Sequence, residues 1–188
     1  MRRLTRTPHT HTVTAQAAIS ALCALDRARF AQRLEGIFEH SSWIATRTWS
    51  ARPFTDVGSL HAAMLETLAA SSYDEKLALI RAHPELAGKE AETGTLTAAS
   101  SGEQRGVGLD QCSREELVTL RRLNAEYRER HGFPFVIAVK GLTRYQIIDA
   151  LSHRLNNDTA VEFDTCLHEI GKIARFRLDA LFTDQPGG

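Results

Sequence analysis

At 188 residues, with 43% hydrophobic and 24% charged side chains, the chain is long enough to bury a core and has the composition of an ordinary globular domain. Its 23 Lys and Arg balance 23 Asp and Glu, so the basic excess that nucleic-acid binding draws on is missing. No apolar run reaches the length of a membrane-spanning helix, and three scattered cysteines, Cys23, Cys112 and Cys166, read as reduced thiols of a cytoplasmic protein.

In chain order, residues 1–18 are set apart as a disordered tail, because Thr, His and Arg recur there without apolar periodicity. Arg2, Arg3 and Arg6 ahead of the apolar stretch 15–25 loosely mimic a secretion signal, but the Thr-Pro-His-Thr-His-Thr between them is too long and polar for one. The domain is expected over 19–183, with 184–188 as a second tail. Asp26 is a candidate N-cap for a helix carrying Phe30, Leu34, Ile37 and Phe38. A break at Ser41-Ser42 precedes a short helix with Trp43, Ile44 and Trp49, which Arg52-Pro53-Phe54 ends. Leu60, Met64, Leu65 and Leu68 mark the next helix. Ser72 and Glu75 form a capping box for a helix that runs through Leu77 and Ile80. It stops at His83, since Pro84 disfavours helical geometry at the residue before it.

Thr97 can cap a helix bearing Ser100, Glu103 and Gln104, closed by Gly106 and Gly108. Ser113 with Glu116, and Thr143 with Gln146, are two further capping boxes. The first opens a helix with Leu117, Leu120, Leu123 and Tyr127 that Gly132 terminates. The second leads to Ile147, Leu151 and Leu155. Between them, 133–139 is the one run that reads as extended. After the turn Asn156-Asn157-Asp158, a last helix carries Val161, Phe163, Leu167, Ile170, Ala174, Leu178 and Leu181. Seven to eight helices without strand alternation predict an all-α fold, a single compact domain with one short extended segment near 133–139.

The chemistry-bearing residues cluster around His83. At a helix C-terminus its imidazole either bonds the last carbonyls or serves as an acid–base group. Ser100, Glu103 and Gln104, at i, i+3 and i+4, share a helical face near a positive dipole end; Ser100 and Glu103 also fit a capping box of their own. Backbone N–H groups in 133–139 lack ladder partners and must bond something. Arg175 and Arg177 point in nearly opposite directions on the last helix, which puts Arg177 on the inner side, either snorkelling or gripping a carboxylate. Asp164 and His168 lack a third ligand, so no metal site is expected. Enzyme, small-ligand binding module, and interaction domain with exposed Trp43 and Trp49 all remain open on these residues alone.

Several motifs then coincide in order and spacing: Glu39-His40-Ser41-Ser42-Trp43-Ile44, Arg52-Pro53-Phe54, Arg81-Ala82-His83-Pro84-Glu85-Leu86-Ala87-Gly88, Ser100-Ser101-Gly102-Glu103-Gln104, 132–141 and Ile173-Ala174-Arg175-Phe176-Arg177-Leu178. Over roughly 20–182 they resemble the OHCU decarboxylases, which act on 2-oxo-4-hydroxy-4-carboxy-5-ureidoimidazoline in urate degradation. The resemblance implies an all-α, cofactor-free, homodimeric enzyme that makes (S)-allantoin and CO2. It implies His83 and Glu103 as catalytic residues. It implies substrate contacts from Pro84, Ser100, Ser101, Gly102 and Gln104, from Phe135, Val136, Ile137, Ala138 and Val139, and from Arg177, with Arg154 the weaker match for the arginine. Glu85 and His131 depart from the family's usual residues at their positions.

Overall fold

The computed structural model describes residues 9–88 and 94–183, with side chains over 15–88 and 94–182. These residues are mostly helical and contain no strand. The elements are α1 (His9–Cys23), α2 (Arg27–Arg33), α3 (Ser42–Thr48), a 3-10 turn (Trp49–Ala51), α4 (Val57–Ala69), α5 (Tyr73–Ala82), α6 (Ala98–Gly106), a second 3-10 turn (Leu109–Gln111), α7 (Arg114–His131), α8 (Arg144–Arg154) and α9 (Thr159–Thr183).

Most boundaries follow from local chemistry. Asp26 accepts the Arg29 N–H at the start of α2. Ser72 with Glu75, Ser113 with Glu116, and Thr143 with Gln146 form reciprocal boxes that satisfy the first orphan N–H groups of α5, α7 and α8. Gly132 ends α7 at φ 80°, the left-handed conformation that glycine adopts without a Cβ clash. A box not expected from the sequence, Asp56 with Ser59, opens α4.

The element at the N-terminus differs from expectation. Of the 1–18 segment, 1–8 lie outside the described residues, as does the second tail at 184–188, whereas 9–18 belong to α1. Periodicity could not reveal this helix, because its first half is built of Thr and His. Ala15, Ala17 and Ala18 carry high helix propensity, and Ile19 and Leu22, which follow, are buried. With α1 the described helices number nine.

The described chain divides into two units. One comprises residues up to 37, 42–70, and 174 onward. Its buried side chains include Phe30, Leu34, Ile44, Leu60, Met64, Leu68, Leu178 and Phe182. Trp49 donates its indole N–H to the Leu25 carbonyl and lies under the Arg52 guanidinium at 3.7 Å and near that of Arg27 at 5.0 Å. Trp43 carries Arg47 over its ring at 4.6 Å. Neither tryptophan is among the exposed large apolar side chains, which removes the observation an interaction-domain reading needs.

The other unit comprises 38–41 and 71–173. Its centre is Tyr127, whose ring meets His131 at 4.4 Å and Phe135 at 5.3 Å. The Tyr127 hydroxyl donates to Glu162 in a short bond. Glu162 also accepts from Arg154 Nε at 2.9 Å and Nη2 at 2.8 Å, and from Asn157 at 2.8 Å. Burial pushes the Glu162 carboxyl up, but these donors outweigh it and hold the group below the usual carboxylate range. Burial, then the adjacent Cys166 and Glu162, push the Tyr127 phenol well above its ordinary value.

Candidate active site

His83 is placed by its own helix end. Its backbone, at φ −75° and ψ 131°, leaves the α region ahead of Pro84 as expected. The imidazole Nδ1 lies 3.0 Å from the Leu79 carbonyl. A carbonyl only accepts, so Nδ1 is the donor in this contact, which leaves Nε2 as the other ring nitrogen available for exchange of a proton. The residue is 7% exposed and lines a cavity of about 300 Å³ with Arg81, Glu85, Arg128, Gly132, Phe133 and Pro134. Arg81 donates from Nε and Nη2 to the Gly132 carbonyl at 3.1 and 2.9 Å, and Arg128 forms a short ion pair with Glu85.

The loop after His83 is held from two helices. Gln104 of α6 accepts the Ala87 N–H at 3.0 Å and donates to the Glu85 carbonyl at 3.3 Å. Asn124 of α7 donates to the Leu86 carbonyl at 3.0 Å. These bonds hold Ala87 at φ 50°, a left-handed conformation that costs an L-residue roughly 1–2 kcal/mol. The expected substrate contact from Gln104 thus falls on a side chain whose two polar atoms both act on the loop beside His83.

Thr97 is the N-cap of α6, its hydroxyl accepting the Ser100 N–H. The alternative in which Ser100 caps its own helix is therefore excluded. Ser100 and Gln104 are buried and Glu103 is half-buried, on the one face that the spacing predicts. Ser101 and Gln104 border a second cavity of about 390 Å³, together with Ala87, Arg105 and Arg121, while Gly102 is exposed. Ser100 turns elsewhere. Its hydroxyl donates at 3.1 Å to Glu39, which also accepts the Thr97 hydroxyl at 2.7 Å.

The segment 134–139 is neither helix nor strand. Phe135, Val136, Ala138 and Val139 are buried, and Ile137 is partly so. Its backbone groups find side-chain partners: the Ala138 N–H donates to Glu169 at 2.8 Å, and the Val136 carbonyl accepts from Arg154 Nη1 at 2.9 Å. Arg154 also covers the Phe135 ring at 4.5 Å. Its guanidinium thus bonds Glu162 and the Val136 carbonyl and stacks on Phe135. In the other unit Arg177 is buried and donates from Nη1 to the Gly36 carbonyl at 2.9 Å, whereas Arg175 is exposed and pairs with Asp179. The inward and outward assignment of these two arginines holds.

Pattern reading missed Glu39, Asn124, Glu162 and Glu169. Each is a polar residue in or beside an apolar stretch, and nothing local announces the partner that makes it tolerable inside. Among the described residues no group of three or more His, Cys, Asp or Glu is arranged to hold a metal, and no helix is long and apolar enough to cross a membrane.

The fold and the site together define an all-α protein whose helix-ending His-Pro step, capped polar helix and buried non-helical segment lie in one unit. A family model described as OHCU decarboxylase matches residues 23–179, and the chain belongs to that family. It is 41% identical over 161 residues to the 2-oxo-4-hydroxy-4-carboxy-5-ureidoimidazoline decarboxylase of Haloferax volcanii, covering 86% of this chain and 94% of that protein. The crystal structure of (S)-allantoin synthase superposes with a TM-score of 0.68 at 29% identity, over 87% of this chain; the chain spans 53% of that one. A crystal structure of OHCU decarboxylase in the presence of (S)-allantoin superposes with a TM-score of 0.64 at 23% identity, over 79% of this chain and 96% of that one. At that identity it speaks for the fold alone.

Proposed function

We propose that this chain decarboxylates OHCU to (S)-allantoin and CO2 in urate degradation, with His83 as the acid–base residue. Family membership supports the reaction. The observation that carries the residue assignment is the anchored His83 ring: Nδ1 is tied to Leu79 at 3.0 Å, so the opposite nitrogen is the one assigned to proton transfer.

The chemistry asks little else of the protein. The carboxylate of OHCU sits on a carbon next to a ring C=N. When the bond to CO2 breaks, its electron pair flows into that imine, so the substrate supplies its own electron sink. The imine nitrogen that receives the pair takes up a proton, one proton leaves the 4-hydroxyl and one arrives at ring carbon, so a single net proton replaces the departed CO2 with no net change of oxidation state. Orientation, charge placement and the face on which the proton lands are left to the protein. His83 would bond the hydroxyl and mediate the transfer. Glu103, half-buried one turn from Ser100, would orient the imidazole or accept from ureido N–H groups. Pro84, Ser100, Ser101, Gly102, Gln104 and the 135–139 backbone make up the proposed remainder of the binding surface in this unit; a substrate contact from Arg177 is proposed from the resemblance alone. A homodimer in the cytoplasm is proposed on the same footing, and sedimentation of the purified protein tests the first half of that statement.

His83→Asn keeps a hydrogen-bonding amide of similar size but cannot exchange a proton near pH 7. The variant should fold, still bind allantoin, and lose roughly 10²–10⁴-fold in turnover. Circular dichroism of the product provides a second readout, because uncatalysed decay of OHCU gives a racemate. A His83→Asn protein that made (S)-allantoin at nearly the normal rate would remove His83 from the mechanism.

A further inference from the structure

Glu39 is 2% exposed, and an ionised carboxylate tolerates such burial only when donors surround it. It sits in the short connection between α2 and α3, where the Ser41 N–H closes a turn onto the Phe38 carbonyl and His40 takes a left-handed φ of 46°. This turn carries the side chain to the start of α6. There the Thr97 hydroxyl donates to Oε1 at 2.7 Å and the Ser100 hydroxyl to Oε2 at 3.1 Å. The Ser100 N–H returns to the Thr97 oxygen at 3.3 Å, which closes a ring of three bonds around the carboxylate.

The direction of those bonds matters more than their number. Each carboxylate oxygen accepts one of the two hydroxyls, Oε1 from Thr97 and Oε2 from Ser100. A serine hydroxyl has one proton and two lone pairs. With the proton committed to Glu39, the Ser100 oxygen can offer a ligand nothing but lone pairs. We propose that Glu39 is a positioning residue that fixes Ser100 as a hydrogen-bond acceptor, so that this end of the site takes an N–H group of the substrate and rejects its carboxylate and carbonyl oxygens. The inference rests on the proposed contact between Ser100 and OHCU. It deepens that reading by giving the substrate an orientation: an amide or ureido N–H faces the N-terminal part of α6, and the carboxylate lies away from it.

The test is a double-mutant cycle with OHCU turnover as the assay. Glu39→Gln replaces an acceptor by an amide that also donates, which releases the Ser100 proton to point either way. We expect KM to rise roughly tenfold with kcat changed less than threefold, since a charge-assisted bond is exchanged for a neutral one. Ser100→Ala should raise KM to a similar degree. The double variant should be no worse than Ser100→Ala within a factor of two, because Glu39 acts through that hydroxyl. A purely structural Glu39 would lower Tm and leave the KM ratio multiplicative, and that outcome overturns the proposal. Should Glu39→Gln fail to fold, Glu39→Asp keeps the charge one methylene further away, and the same cycle is read with it. Failure of the underlying reading looks different: Ser100→Ala alone would then leave KM unchanged, or the unaltered enzyme would not turn over OHCU.

Discussion

Arg154→Met removes a cation from the centre of its unit while keeping an apolar stem of comparable reach. The wild-type guanidinium gives two bonds to Glu162, at 2.9 and 2.8 Å, and one to the Val136 carbonyl at 2.9 Å, and it lies over Phe135. Glu162 is fully buried. Without its cation it keeps, among the described residues, the side chains of Tyr127 and Asn157 as donors. Removing one partner of a buried ion pair costs about 3–5 kcal/mol. For 188 residues the unfolding entropy is about 0.4 kcal/mol/K, so 4 kcal/mol corresponds to a fall of roughly 10 °C in Tm. The sign of the pH dependence follows from Glu162. Its folded pKa is depressed, so it contributes stability above its unfolded value and loses that contribution as pH falls through the folded one. Once Arg154 is gone, burial is left largely unopposed and the carboxyl protonates more readily. The gap between variant and wild type should therefore narrow from pH 7 towards pH 4.5, and Glu162→Gln should recover part of it at pH 7. Thermal unfolding followed by far-ultraviolet circular dichroism measures both. A Tm loss under about 2 °C, or one equal at the two pH values, would refute the account of this network.

Two other perturbations separate the loop from the chemistry. Gln104→Ala leaves the Ala87 N–H and the Glu85 carbonyl without their partners, at about 1–3 kcal/mol; a Tm loss near 5 °C is expected, with hydrogen exchange at Ala87 accelerated more than in α7 or α9. Chelation with EDTA followed by dialysis should leave OHCU turnover intact, because the substrate provides its own electron sink; loss of activity restored by a divalent metal would contradict the mechanism.

Helix ends were legible from sequence because their signals are local. Asp26, Ser72, Thr97, Ser113 and Thr143 each cap a helix within three residues of themselves, and Pro84 sits beside the end it imposes. His83, Ser100 and Gln104 could be singled out for the same reason. Their partners could not. Glu39 meets Ser100 across 61 positions, and Tyr127 meets Glu162 across 35. Nothing in a short window distinguishes such a carboxylate from one on a solvated face. Gln104 shows the limit most clearly: spacing placed it on the polar face of α6, but only the fold shows that its amide holds the loop at Glu85 and Ala87. The helix over 9–18 escaped because a Thr- and His-rich turn has no apolar stripe to read.

The bond from Arg81 to the Gly132 carbonyl joins residues 51 apart. It closes that stretch of chain, α6 included, into a loop pinned at its neck by one guanidinium. His83 lies just inside one end of the neck, and Phe133 and Pro134 begin just beyond the other. The cavity between them is lined by both residues of the pin and by the Arg128–Glu85 pair from within the loop. A change at Arg81 or Gly132 therefore frees the end of α5 from the start of the 133–139 segment at the point where the chain closes on itself.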